Sequence, residues 1–226
     1  MKTKSNDVNN RDPRIVTMYR VAIGIGFFAL FISFTTIYVM NRVEKARYHV
    51  GLKQALSILS QALIYANFES DDEKISEVYY LYLVDALTSQ FASTNCAHSD
   101  TLACKPAEYR TLNNKSVMSD LIFKSGTKLS INNILFMINK PRFKDDALLV
   151  TIDANGGNIK PNRLGHDVFV FQIKNNKIRA MGRKDSLYPI KRYYFYCDGG
   201  SKSKDQLLGV NCAYNALFDQ KYFSKL

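Results

Sequence analysis

VAIGIGFFALFISFTTIYVM, residues 21–40, is the stretch that decides how this chain is organised. It contains 20 residues without a charged side chain, and four of them are Phe. A helix of about 20 apolar residues spans the roughly 30 Å hydrocarbon core of a bilayer. A cleaved signal peptide has a shorter apolar core followed by a cleavage site of small residues, whereas this run ends in Met40-Asn41-Arg42. The stretch therefore predicts a transmembrane helix.

The helical pattern continues beyond the span. Apolar residues recur every three or four positions, which places them on one face of a helix. They are Leu52, Ala55, Leu56, Leu59, Ala62, Leu63 and Ala66. We expect one helix from about Arg14 to Phe68, on the order of 80 Å long, whose second half docks on a folded head. A second helix is expected to begin near Asp71 and Asp72, where acidic residues complement the helix dipole, and to end near Phe91.

Beyond Val117 the period changes to short β-type runs, with turn signals at Ser125-Gly126 and Asn175-Asn176. The predicted strands are LIFK (121–124), TKLSI (127–131), ALLVTI (147–152), DVFVFQI (167–173), KIRAM (177–181) and IKRYYFYC (190–197). The expected fold class is α+β, a long N-terminal helix packed on an antiparallel sheet. The expected layout is a cytoplasmic basic tail at 1–20, a transmembrane helix at 21–40, its continuation at 41–70 and a head at 71–226.

The formal net charge of the chain is +11. Residues 1–20 and 41–53 each carry a net charge of +3, so more than half of the excess flanks the span. Such charge pairs with anionic headgroups, and membrane lipid is therefore an expected partner. Because five basic residues precede the span and four follow it, the positive-inside rule does not decide the topology.

Four cysteines lie after the span: Cys96, Cys104, Cys197 and Cys212. They allow three disulfide connectivities, of which pairing neighbours is the simplest. Two disulfides would place the head in an oxidising compartment and leave the N-terminal tail in the cytoplasm. A zinc site from Cys96, His98 and Cys104 is the alternative, although its spacing matches no familiar ligand pattern.

The sequence carries no G-x-S-x-G, no H-E-x-x-H and no P-loop, and it contains three histidines. We therefore predict that the protein is not an enzyme. A basic and aromatic stretch, Lys191–Tyr196, raises single-stranded nucleic acid as a possible partner. Packing of these aromatics beside a disulfide is the preferred interpretation.

A compact polar loop separates two strands in Ile152–Ile173, IDANGGNIKPNRLGHDVFVFQI. Gly156 supplies a positive φ for the reversal, Pro161 fixes one backbone angle, and Asn162 suits an Asx turn. Asp153 and Asp167 lie at the two ends of the loop, where their carboxylates can accept hydrogen bonds from its backbone amides. The alternative is a calcium site built from Asp153, Asn155 and Asp167, but the spacing is not that of an EF-hand. We expect no metal or other cofactor.

This loop resembles a sequence found in the heads of pilin-like proteins of bacterial type IV pilus and type II secretion systems. The matching residues are Asp153, Asn155, Gly156, Pro161, Asn162, Gly165, Asp167 and Phe169. The resemblance implies a pilin-like head behind a membrane helix, with Cys197 and Cys212 forming the C-terminal disulfide. It also implies an inner-membrane protein with a periplasmic or extracellular head, methylation, and other pilin-like subunits as partners through the N-terminal helix.

The N-terminus differs from that family. Prepilins carry a glutamate five residues after the cleaved glycine, whereas the fifth residue after Gly26 is Phe31 and the span has no acidic residue. Two alternatives remain open. The chain is either a divergent structural subunit that assembles through its helix, or a permanently anchored binding module that captures DNA or a surface polymer without polymerising.

Overall fold

In the computed structural model of this chain, the described residues are 13–66, 76–98, 104, 108–118, 126–141, 147–191 and 193–225. They form two compact units, one ending at Glu44 and the other beginning at Lys45. The acidic turn around Asp71 and Asp72 and the predicted strand at 121–124 lie outside the described residues.

The predicted long helix is α1, Pro13–Tyr65, and it is continuous through the apolar stretch. Within the second unit it buries one stripe of side chains, as the spacing predicts. The buried members include Tyr48, Leu52, Ala55, Leu59, Ala62 and Leu63. A second helix, α2, spans Ser76–Gln90 and buries Leu83, Ala86 and Leu87 in the same core.

Six antiparallel strands form one sheet in sequence order. They are β1 Ser93–Asn95, β2 Gly126–Ile131, β3 Ile134–Asn139, β4 Leu148–Asp153, β5 Val168–Lys174 and β6 Lys177–Ala180. All six residues of β3 are buried, as are the first six of β5. Because neighbouring residues of a strand point to opposite faces, both faces of these strands are covered. A short helix near the C-terminus, α3, spans Ala213–Phe218.

The α+β class is confirmed, and strands β2, β4, β5 and β6 lie where the sequence predicts. Two turns were predicted, and the described residues test one of them. Asn175 and Asn176 turn between β5 and β6 with φ of 51° and 53°, as expected. Gly126, in the other predicted turn, is the first residue of β2 and has a φ of 129°, while Ser125 and the strand predicted before it lie outside the described residues. The reversal after β2 uses Asn132 and Asn133, also at positive φ. Strands β1 and β3 were not predicted.

The predicted strand at 190–197 is wrong. Its second half is a short 3-10 helix, Tyr194–Cys197. The Tyr193 amide donates to the carbonyl of Pro189, and the Tyr196 amide donates to that of Tyr193. Local turn bonds therefore use the backbone groups that a sheet ladder would need.

Candidate functional site

The apolar half of α1 has the properties of a membrane-spanning segment. It belongs to the one helix among the described residues that is long and apolar enough to cross a membrane. Every side chain from Val21 to Met40 is exposed in the isolated chain. The hydroxyls of Ser33 and Thr36 donate to the carbonyls of Ala29 and Ile32, at 2.9 and 2.8 Å. These polar groups are thus satisfied within the helix, as a hydrocarbon environment requires.

The second candidate site is the loop between β4 and β5, which is organised around two buried carboxylates. Oδ1 of Asp153 accepts the backbone amides of Asn155 and Gly156, at 3.2 and 3.0 Å. Its other oxygen, Oδ2, accepts the hydroxyl of Tyr109 at 2.9 Å. Asp153 therefore fixes the entrance of the loop and also joins it to the distant segment 108–118.

Asp167 performs the same task at the exit of the loop. Its Oδ2 accepts the amide of Asn162 at 2.8 Å, and its Oδ1 accepts that of Arg163 at 2.7 Å. Both aspartate side chains are fully buried. Each of the four carboxylate oxygens thus accepts at least one hydrogen bond from the protein.

Burial is the main influence on the protonation of this pair. Desolvation raises the pKa of Asp153, and the nearby carboxylate of Asp167 raises it further, while the hydrogen bonds from Tyr109 and the loop amides oppose the shift. Desolvation also raises the pKa of Asp167, against the amides of Asn162 and Arg163. The pKa of the Tyr109 hydroxyl is raised by its own burial and by Asp153. The protonated carboxyl is therefore favoured here more than at an exposed aspartate.

The remaining loop residues of the sequence motif shape the backbone. Gly156, Asn162 and Gly165 all have positive φ, at 82°, 50° and 73°. The side-chain amides of Asn155 and Asn162 donate to the carbonyls of Ile159 and Gly157. Pro161 follows a cis peptide bond.

Calcium would have to compete with these internal donors. The residues proposed for it, Asp153, Asn155 and Asp167, are brought together in one loop. The described part of the chain contains no group of three or more His, Cys, Asp or Glu side chains that could hold a metal ion.

The loop packs directly on α1. Gly51 faces the carbonyl oxygen of Ala154 so closely that a Cβ at position 51 would collide with it. Beside this contact, the rings of Tyr48 and His166 meet edge to face with centroids 5.3 Å apart. The loop is therefore a docking element for the helix as well as a turn.

The exit of the loop also rests on the C-terminal disulfide. Cys197 and Cys212 are bonded, with Cα atoms 5.1 Å apart. A Cβ on Gly165 would lie 2.8 Å from Sγ of Cys212, and the Tyr222 hydroxyl donates to the Gly165 carbonyl. Two features that the sequence presents separately, the loop motif and the disulfide, thus form one structural unit.

The other cysteine pair is bonded as well. Cys96 and Cys104 have Cα atoms 5.0 Å apart, and described residues contain no free cysteine. The zinc alternative that included His98 is wrong, because both sulfur atoms are already bonded to each other.

In the basic and aromatic stretch at Lys191–Tyr196, the two aromatic side chains that the structure describes pack on each other. Tyr193 and Tyr196 stack on each other with centroids 5.5 Å apart, and the Tyr196 hydroxyl donates to Asp205 at 2.9 Å. Tyr188 meets both rings edge to face. These three rings pack together beside the disulfide.

Sequence reasoning missed Tyr109, because no local pattern connects it with a residue 44 positions away. It also missed a cavity beside α3, for which the crowding of basic residues at the C-terminal end of the chain was the available signal. No protein-family model, curated protein or solved structure matches this chain.

Proposed function

We propose that this protein is a non-enzymatic, pilin-like subunit anchored by one helix in a bacterial inner membrane, with its head in the periplasm or outside the cell. One observation carries the proposal. A single helix, α1, is apolar and exposed on all sides through Val21–Met40, yet buries a one-sided stripe in the core after Lys45. A helix of this kind joins a membrane to a folded head.

The two disulfides support the orientation. Disulfides persist in oxidising compartments and are rare in the cytoplasm. Both bonded pairs, Cys96–Cys104 and Cys197–Cys212, belong to the head. The head is therefore the exported part, and the short segment before the span stays in the cytoplasm.

The pilin-like assignment rests on the combination of layout and loop. A long N-terminal helix, a sequential antiparallel sheet and a disulfide near the C-terminus accompany the loop motif. In this chain the motif also performs a structural task that an assembly subunit needs, since it fastens the head to α1 through Ala154 and Gly51.

Assembly would proceed through the apolar helix. At 3.6 residues per turn, five small residues fall on one face of α1: Ala22, Gly26, Ala29, Ser33 and Thr36. Small residues allow helix backbones to approach closely in membranes. Gly24 lies about 200° around the helix from Ala22 and so belongs to the opposite face.

The test uses cysteine cross-linking in native membranes. Ser33→Cys places a thiol on the small-residue face, and Thr35→Cys places one about 200° away. We expect oxidant to give a cross-linked dimer with Ser33→Cys and little with Thr35→Cys. Adding Gly26→Leu should abolish the cross-link, whereas adding Gly24→Leu should preserve it. Equal cross-linking from both faces, or none from either, would contradict assembly through this face.

A permanently anchored binding module is the second candidate. The observation that favours it is the span itself, which has no acidic residue and presents Phe31 at the fifth position after Gly26. Absence of Ser33→Cys cross-linking together with an uncleaved N-terminus would favour this candidate over the assembly subunit.

A further inference from the structure

The positive charge of the head is concentrated at its C-terminal end. Residues 174–226 contain eleven Lys and Arg against four Asp and no Glu. Residues 54–173 contain the same number of Lys and Arg against thirteen acidic residues. The net charge is therefore +7 in the last 53 residues and −2 in the 120 before them. A segment of this kind attracts anions over the distance of a Debye length, about 8–10 Å.

A cavity of about 540 Å³ opens within this basic region. On one side it is lined by the turn after β6, which contributes Arg183 and Lys184, and by Ile190 and Lys191. Helix α3 contributes Tyr214 and Phe218 on the other side. The volume is within the range of small-molecule sites, roughly 300–1,000 Å³.

The aromatic side of the cavity is accessible. The rings of Tyr214 and Phe218, one helical turn apart on α3, have centroids 4.9 Å apart. Phe218 is 69% exposed, and the Tyr214 ring beside it also reaches the surface. An exposed ring of this kind presents an apolar surface on which a flat ligand can stack.

The cationic side carries charge that no carboxylate among the described residues neutralises. Arg183 pairs with Asp185, Nε to Oδ1 at 2.8 Å, whereas Lys184 and Lys191 form no ion pair within the described ranges. The four acidic residues of 174–226 all have partners other than Lys184 and Lys191. Asp185 holds Arg179 and Arg183, Asp219 holds Lys225, Asp205 accepts the Tyr196 hydroxyl, and Asp198 accepts the amide of Gly200.

The walls of the cavity are held in place by backbone hydrogen bonds. The amide of Tyr214 donates to the carbonyl of Met181 at 2.9 Å, and that of Ile190 donates to Gly182 at 3.0 Å. Gly182 has a φ of 101° and packs against the carbonyl of Asn211, so that a Cβ would not fit. The turn and α3 are therefore fixed relative to each other before any ligand binds.

We propose that this cavity binds single-stranded nucleic acid. Lys184 and Lys191 contact backbone phosphates, and a base stacks on Phe218 with Tyr214 beside it. Cationic grooves that carry aromatic side chains bind single strands in this way. A neutral sugar has no charge for the lysines to bind, and a polyphosphate has no ring to stack on the aromatic side chains. The bases of a duplex are already stacked on each other. Nucleic acid is one of the ligands of the second candidate function, the anchored binding module, so this inference rests on that candidate and does not depend on assembly of the membrane helix.

The test measures binding of a fluorescein-labelled 12-nucleotide oligothymidine to the full-length chain in zwitterionic micelles, by fluorescence anisotropy at several salt concentrations. Phe218→Ala should weaken binding about tenfold through loss of base stacking. Lys184→Gln with Lys191→Gln should weaken binding at low salt. It should also make the slope of log K against log salt less negative by about 1.4, the value for two phosphates on a single strand.

Matched controls separate the cavity from general charge. Lys53→Gln with Lys115→Gln removes the same charge from exposed positions elsewhere, and Tyr65→Ala removes an exposed ring from α1. Both should leave the affinity within about twofold. Equal losses from the controls would overturn the proposal. So would binding that polyphosphate abolishes and Phe218→Ala does not affect, equal affinity for duplex DNA, or binding to anionic vesicles without binding to the oligonucleotide.

Discussion

The hydroxyl of Tyr109 donates a 2.9 Å hydrogen bond to Oδ2 of Asp153 in the interior of the head. This bond connects the segment before β2 with the end of β4 and the start of the β4–β5 loop. Asp153 also accepts hydrogen bonds from amides of the loop, and the loop packs on α1 at Gly51. The stability of the head therefore depends on a buried polar centre as well as on its apolar core.

Tyr109→Phe tests this bond. The substitution removes the hydroxyl and leaves a buried carboxylate oxygen without that donor, which costs about 1–3 kcal/mol. We expect the free energy of unfolding to fall by about 1–2 kcal/mol, measured by urea unfolding in micelles with near-ultraviolet circular dichroism of tyrosine. Tyr214→Phe is the control, because its ring lies at the surface, and it should change stability by less than about 0.5 kcal/mol. Equal effects of the two variants would contradict the role of the bond.

The pH dependence of stability follows from the two aspartates. In the unfolded chain their pKa is near 3.9, and in the head burial raises the pKa of Asp153 to about 8 and that of Asp167 to about 6. Between these pKa values the folded state holds protons that the unfolded state has lost. The contribution of the two carboxyl groups to the free energy of unfolding is therefore complete below about pH 4 and is lost as the pH rises to about 8.

Asp153→Asn should reduce the slope of unfolding free energy against pH between about 5 and 8, because its amide cannot ionise. Asp185→Asn is the control. Hydrogen bonds and the nearby Arg179 and Arg183 lower the pKa of that exposed aspartate, so its own titration affects stability only in acid. An unchanged slope in Asp153→Asn would show that the buried pair is ionised in the folded head at neutral pH.

Gly51→Ala tests the contact between loop and helix. A methyl group at position 51 would meet the carbonyl of Ala154, and overpacking of this kind costs about 1–3 kcal/mol. This cost exceeds the gain of up to about 1 kcal/mol that alanine brings inside a helix. We expect a lower midpoint of urea unfolding. Gly199→Ala, where a Cβ has open space, should leave the midpoint unchanged, and a stabilised Gly51→Ala would contradict the packing.

The two disulfides should differ in importance. The Cys197–Cys212 bond closes 15 residues and the Cys96–Cys104 bond closes 8, so chain entropy gives about 3 and about 2.5 kcal/mol. Cys212 is also fully buried against Gly165. Replacing Cys197 and Cys212 by Ser should therefore lower the unfolding free energy by more than replacing Cys96 and Cys104. The reverse order in urea unfolding would contradict the structural role assigned to the Cys197–Cys212 disulfide.

The sequence was most informative where one periodicity extends over many residues. The apolar span and the stripe beginning at Leu52 predict α1 almost to its ends, and alternation with the Asn175-Asn176 turn predicts β5 and β6. Strand β3, ILFMIN, was missed because it is buried on both faces and shows no alternation. The stretch at 190–197 has strand-forming residues, but the amides of Tyr193 and Tyr196 form local hydrogen bonds and Tyr194–Cys197 is a 3-10 helix, which propensity alone does not predict.

The candidate sites were predictable to different degrees. The loop between Asp153 and Asp167 could be predicted because its turn residues and acceptors lie within 15 positions of each other. The crowding of basic residues was a signal for an anion-binding surface near the C-terminus, but the walls of the cavity beside α3 could not be predicted. Lys184 and Phe218 are 34 positions apart, and only packing of α3 against the turn brings their segments together.

The most direct test of the central claim, a membrane-anchored protein with an exported head, is the mass of the full-length chain after alkylation of intact cells before lysis, with and without reduction. The account predicts a chain in the membrane fraction whose four cysteines are alkylated only after reduction. Four cysteines alkylated without reduction, or a chain recovered outside the membrane fraction with residues 21–40 intact, would contradict it.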